Sequence, residues 1–139
     1  MADHLQTLKD NVNRWRNSGI EEYWVQIDFI GAAMNRMGIH ELTTSGGKLY
    51  HERHGDWREI ETGSDFWLYS IPGTFAWTRD MLTKILPAAG VGDEGIELEF
   101  NEEYGYVQHL RVKAAKRDAS NITFDVKKFG VGTHPEFNK

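Results

Sequence analysis

Three short stretches of two-residue alternation near the end of the chain limit its fold most sharply. Ile96, Leu98 and Phe100 alternate with Glu97 and Glu99. Tyr106, Gln108, Leu110 and Val112 alternate with His109, Arg111 and Lys113, and Ile122, Phe124 and Val126 with Thr123, Asp125 and Lys127. A period of two is the signature of a strand with one face buried and the other in water. Asn101 to Gly105 and Asp118 to Asn121 supply turn residues between the stretches. The pattern predicts a three-stranded antiparallel meander over Ile96–Phe129. Glu97, Glu99, Arg111 and Lys127 are expected on a solvated face, where cross-strand charge pairing is the ordinary arrangement.

Upstream, Leu5, Leu8, Val12 and Trp15 recur at helical spacing, with Asp3 as N-cap and Asn17-Ser18-Gly19 as the stop. Tyr23, Val25, Ile27 and Phe29 then alternate as a first strand. Residues 31–38 read as a longer connection or a bulged continuation. Ile39–Thr44 and Lys48–His54 flank the turn Ser45-Gly46-Gly47 and form a hairpin. From Asp56 to Trp77 neither period persists, and Gly63, Pro72 and Gly73 interrupt the run. A second helix is expected to begin at Thr74 or Thr78 and to run to Leu86. The fold class is therefore α+β: helix, three strands, helix, three strands, giving an antiparallel sheet of about six strands with two helices on one face. Residues 1–133 form one domain, and 134–139 read as a loose tail.

At 139 residues the chain suits a single domain with a sizeable core. Its formal net charge of −5 argues against a nucleic-acid partner, because phosphate binding calls for a basic stripe. The clusters Lys113/Lys116/Arg117 and Lys127/Lys128 fit solvated strand edges and turns instead. The chain has no cysteine, so disulfides and thiolate chemistry are excluded. No apolar run has the length of a membrane span, and the N-terminal residues lack a signal-peptide pattern. The expected location is the cytoplasm, or outside the cell if a signal segment once preceded the chain.

The residues Arg14-Trp15, Ile20-Glu-Glu-Tyr23, Gly47-Lys48-Leu49, the helix after Thr78, Glu99-Phe100, Glu103-Tyr104-Gly105-Tyr106 and Ile122-Thr-Phe124 carry a likeness to a known family. Together they resemble the DUF6174 family of small bacterial domains. The aromatic segment 56–77 is longer than the family's usual connection, and the family's common export signal does not appear. The resemblance implies an α+β fold and brings no established activity, cofactor or catalytic residue.

Chemistry-bearing clusters are few. His51, His54 and Asp56 are metal-ligand types, yet His51 falls on the opposite strand face from the other two, so no metal site is predicted and surface histidines explain the cluster. The carboxylate pairs Glu21/Glu22, Glu59/Glu61, Glu97/Glu99 and Glu102/Glu103 lack a sign of the dry pocket that acid–base work requires. Ser45 and Ser64 sit in turn contexts without a nucleophile elbow, and Gly46-Gly47-Lys48 falls short of a phosphate loop. No cofactor is indicated.

The aromatic segment is the strongest binding signal. Trp57, Phe66, Trp67, Tyr69 and Trp77 concentrate large rings, which are enriched at interfaces and equally serve to close a core. The first functional reading is a non-enzymatic binding domain in which this segment lies over the sheet and contacts an apolar small molecule or a protein partner. The alternative is a small hydrolase or isomerase in which His51 or His54, with Asp56 or Asp65, acts as acid and base in a cleft between sheet and helices. The edge strands of an open sheet also allow a homodimer by strand pairing.

Overall fold

A computed structural model describes residues 3–30, 38–61, 70–88, 90–112 and 122–137. Helix α1 (His4–Asn17) starts where Asp3 Oδ1 accepts the Gln6 N–H at 3.0 Å. Its end is marked by the Ser18 N–H bonded to Arg14 O and by Gly19 at φ +73°. The strands are β1 (Tyr23–Ile30), β2 (Gly38–Ser45), β3 (Lys48–Arg53), β4 (Asp56–Ile60), β5 (Ile96–Phe100), β6 (Val107–Val112) and β7 (Thr123–Val131). They form one seven-stranded sheet in the order β4-β3-β2-β1-β7-β6-β5, and every paired neighbour is antiparallel. One meander runs outward from β1 to β4. The other runs inward from β5 to β7, and the two join where β7 lies beside β1.

Helices cover one face of this sheet. Tyr23, Val25, Ile27 and Phe29 point to that side with Leu42, Leu110, Phe124 and Val126, and all are buried. α1 lays Leu8 into this core, with Leu5, Val12 and Trp15 packed against it. Trp15 meets Tyr23, Tyr106 and Phe129 edge-on, at ring-centroid separations of 5.5, 6.4 and 6.1 Å.

The α+β class and the one-sided helical layer are as expected from the alternation, with four local differences. First, the segment after Gly55 opens as a fourth strand of the first meander. His54 and Gly55 both adopt positive φ, at 55° and 83°, which is the backbone of a two-residue hairpin turn. Second, helix α2 (Ile71–Asp80) begins earlier than Thr74 or Thr78. Ser70 is its N-cap, with Oγ accepting the Gly73 N–H at 2.9 Å. Pro72 lies in the first turn, where a missing N–H costs nothing, so it starts the helix rather than breaking it. The helix widens into a π turn at Met81–Ile85 and finishes as a short α turn at Leu86–Ala88 around Pro87.

Third, Val107 is buried alongside Tyr106, and Gln108 is half-buried and bonded to Asn101 Nδ2. The β5–β6 register shifts between Glu99 and Phe100, and this irregularity breaks the simple alternation. Fourth, through Phe137 the C-terminal segment is held on the sheet. The Thr133 hydroxyl donates to Thr44 O and the His134 N–H to Thr43 Oγ1, at 2.9 and 2.8 Å. The proposed turn at Asp118–Asn121 and the connection 31–37 lie outside the described residues.

Candidate functional site

The chain offers two separate surfaces, because the sheet divides its side chains between the helix side and the open side. Tyr23 organises the helix side. Trp15, in the last turn of α1, packs on its ring, and its hydroxyl accepts the Ile71 N–H at the first residue of α2. α1 therefore arrives at the same point from which α2 departs, and the two helices lie side by side over the core.

Between them runs a groove of about 520 Å³, within the usual range for small-molecule sites. Leu5, Leu8 and Val12 of α1 and Pro72, Phe75 and Ala76 of α2 form its apolar part. The α1 positions are spaced by three and four residues, and Phe75 and Ala76 follow Pro72 by three and four on α2, so each helix presents one continuous stripe. Leu8 and Phe75 are only 3% and 8% exposed and make the floor, while Ala76 and Pro72 stand open on one wall.

Lys9, Asn13 and Arg16 of α1 and Arg79 of α2 complete the lining, and no described lining residue is acidic. In a chain of net charge −5 this is a local reversal of sign. The ion pairs made by described residues engage Lys48, Arg58, Lys84, His109 and His134, and Lys9, Arg16 and Arg79 take part in none of them.

On the open side, His134 rests against Trp24 and Trp57, at centroid separations of 4.6 and 5.1 Å. Its Nδ1 accepts the Glu136 N–H at 3.0 Å, which puts the proton of the neutral ring on Nε2. Nε2 faces Glu41 Oε2 at 3.3 Å, and the other oxygen of Glu41 accepts from Gln26 Nε2. Phe137 continues the contact onto Tyr50 and Trp57. Farther along the same face, His109 Nδ1 is 2.6 Å from Asp125 Oδ1, and its Nε2 is 3.6 Å from Glu97.

The residues singled out from sequence are thus dispersed. Trp57 belongs to the open face with His134, whereas Trp77 is on the helix side against Phe29 and Phe124. The two do not come together. Phe66, Trp67 and Tyr69 lie outside the described residues, as does Asp65. The aromatic segment reaches the groove through Phe75, with Pro72 and Ala76 beside it.

His51 is buried on the helix side of β3 and bonds His40 Nδ1 through its Nε2 at 3.1 Å. At that separation one ring donates and the other accepts. His54 is exposed in the β3–β4 turn, and Asp56 pairs with Arg58 on the surface. Among the described residues no set of three or more metal-ligating side chains is arranged to hold an ion. Among the described residues, the His–carboxylate pairs His109–Asp125 and His134–Glu41 lie on the open face of the sheet.

Sequence reasoning missed two features. The Gly46-Gly47 turn fixes Ser45 opposite Lys48 and hence Leu42 opposite His51, which sets His40 diagonally beside His51. That pair was open to deduction from the hairpin register. The groove carried a weaker signal: Lys9, Asn13 and Arg16 flank the apolar stripe of α1 at helical spacing. Its second wall depended on starting α2 at Ser70.

Among the described residues no helix is long and apolar enough to cross a membrane. No protein-family model, curated protein or solved structure matches this chain.

Proposed function

We propose that this chain is a binding domain, and that its ligand seats in the groove between α1 and α2. The observation that carries this reading is the groove itself: an apolar floor built by Leu8 and Phe75, walls from two helices, and a rim of cations with no carboxylate among the described lining residues. Apolar concavities with a few oriented polar groups are the usual form of a small-molecule site. The aromatic segment takes part through Phe75, Pro72 and Ala76, and Trp77 acts as a support. Trp77 braces α2 against Phe29 and Phe124 from beneath, holding one wall in place.

The test uses 1-anilinonaphthalene-8-sulfonate, an apolar ring system bearing an anion, whose fluorescence rises in apolar surroundings. The folded protein should bind it saturably. Ala76→Trp, which places a large side chain in the groove from an exposed helical position, should weaken that binding by at least about tenfold. Trp57→Ala, on the opposite face, should leave it unchanged. Equal binding by the wild type and Ala76→Trp would remove the groove from consideration.

A further inference from the structure

Resting on the groove reading, we infer that the occupant is a single-chain aliphatic acid, bound as its anion, with its chain along the floor and its head at the cationic rim. Three observations converge on this class.

The first is shape. The stripe from Leu5 to Arg16 runs about 16 Å along α1, at 1.5 Å per residue, which is the length of a medium acyl chain laid straight. Packed helices lie about 8–10 Å apart axis to axis, so the channel between two of them is narrower than a third helix of about 10–12 Å diameter. The floor residues Leu8 and Phe75 are nearly closed off, at 3% and 8% exposure. A slender chain can lie in the channel over them, whereas a docked helix would ride on the rim.

The second is chemistry of the lining. Leu5, Leu8, Val12 and Phe75 offer carbon only, and the polar groups stand at the edges. A ligand that matches is apolar along its body and polar at an end.

The third is sign. Lys9, Arg16 and Arg79 are exposed, they belong to none of the ion pairs made by described residues, and no acid is among the described lining residues. A carboxylate gains from such a rim, an alcohol gains little, and an ammonium is repelled. Arg79 reaches the groove from α2 while Lys9 and Arg16 reach it from α1, so both walls contribute positive charge.

The experiment is displacement of bound 1-anilinonaphthalene-8-sulfonate by dodecanoate, dodecanol or dodecyltrimethylammonium, each below its micelle concentration. Dodecanoate should displace the dye at about tenfold lower concentration than dodecanol, the combined effect of a few exposed charge contacts. Dodecyltrimethylammonium should be the weakest. Replacing Lys9, Arg16 and Arg79 together by glutamine should bring the acid and the alcohol to the same concentration. Circular dichroism checks that this surface variant folds.

An alcohol or ammonium that displaces the dye as well as the acid overturns the inference, as does a neutralised variant that keeps its preference for the acid. Both results leave the groove standing as an apolar site. An acidic amphipathic peptide that displaces the dye at lower concentration than dodecanoate overturns it in favour of a protein partner. If the wild type fails to bind the dye, or if Ala76→Trp binds it as well as the wild type, the groove reading itself falls and the inference falls with it.

Discussion

The hydroxyl of Tyr23 accepts the Ile71 N–H at 3.0 Å, joining the first residue of β1 to the first residue of α2. Burial pushes this phenol up to about 12 from the ordinary tyrosine value of 10.0, because the anion would be stripped of water, even though the bond from Ile71 favours the anion. A folded-state pKa above the unfolded one means that the native chain keeps a proton the unfolded chain releases. The resulting stability is whole below pH 10 and is lost as pH climbs toward 12. The expected loss across that window is about 3 kcal/mol, at up to about 1.4 kcal/mol per pH unit. Burial also raises the Tyr106 phenol, which adds to the loss with the same sign. Denaturant unfolding between pH 8 and 12 should show this decline, and Tyr23→Phe should flatten it while costing about 1 kcal/mol at neutral pH for the orphaned N–H.

Gly130 lies opposite Trp24 across the β1–β7 pair, and the indole lies against it. A Cβ built there would come within 2.1 Å of Trp24 Nε1 and 2.5 Å of its ring. The indole therefore occupies the space a side chain at 130 would need. Gly130→Ala should push Trp24 off the strand and disturb its contact with His134. A destabilisation of about 1–3 kcal/mol is expected, with an altered tryptophan emission spectrum. An unchanged spectrum and unchanged stability would contradict it.

Thr78 is wholly buried on α2, at 0% exposure, and its Oγ1 has no hydrogen-bond partner among the described residues. A hydroxyl kept from water without a partner is a net cost, and replacing it by a methyl of the same shape removes that cost. Thr78→Val should therefore stabilise the fold by about 1 kcal/mol, a rise of a few degrees in Tm. A fall in Tm would show that the hydroxyl is satisfied in solution.

How far the fold could be read in advance depended on whether neighbours along the chain were also neighbours in space. The core of β1 and β7 was legible because Val25, Ile27, Phe124 and Val126 alternate and each faces the same helices. The start of α2 was not. Pro72-Gly73 is a breaker pair in isolation and becomes a first helical turn only once Ser70 Oγ caps Gly73. Trp57 and Trp77 looked alike in sequence, as large rings in one segment. Their fates diverged because β4 turns Trp57 to the open face, whereas Trp77 rides α2 onto Phe29. The groove was least legible of all, since its two walls come from residues 5–16 and 72–79 and only tertiary packing brings them together. The ring-rich segment of the sequence contains Phe75, which lines the groove, but nothing in that segment pointed to Lys9 or Arg16 of α1.

The C-terminal segment gives the last prediction. His134 is 11% exposed at its side chain and lies against two indoles, with its Nε2 toward Glu41. Removing the imidazole takes away ring contacts on both tryptophans and leaves Glu41, itself only 25% exposed at its side chain, with its bond from Gln26 alone. Each loss is of the order of 1 kcal/mol, so His134→Ala should destabilise the fold by about 2 kcal/mol. His134→Gln, which can keep a donor near Glu41 but offers no ring, should recover part of that loss. Tryptophan emission should shift to longer wavelength in His134→Ala as Trp24 and Trp57 meet water. Because these rings stand on the face away from α1 and α2, dye binding in the helical groove should be unaffected in the folded variant. If His134→Ala instead weakened dye binding as strongly as Ala76→Trp, the two faces of the sheet would not be independent. The bound dye would then belong on the aromatic side, among Trp24, Tyr50 and Trp57.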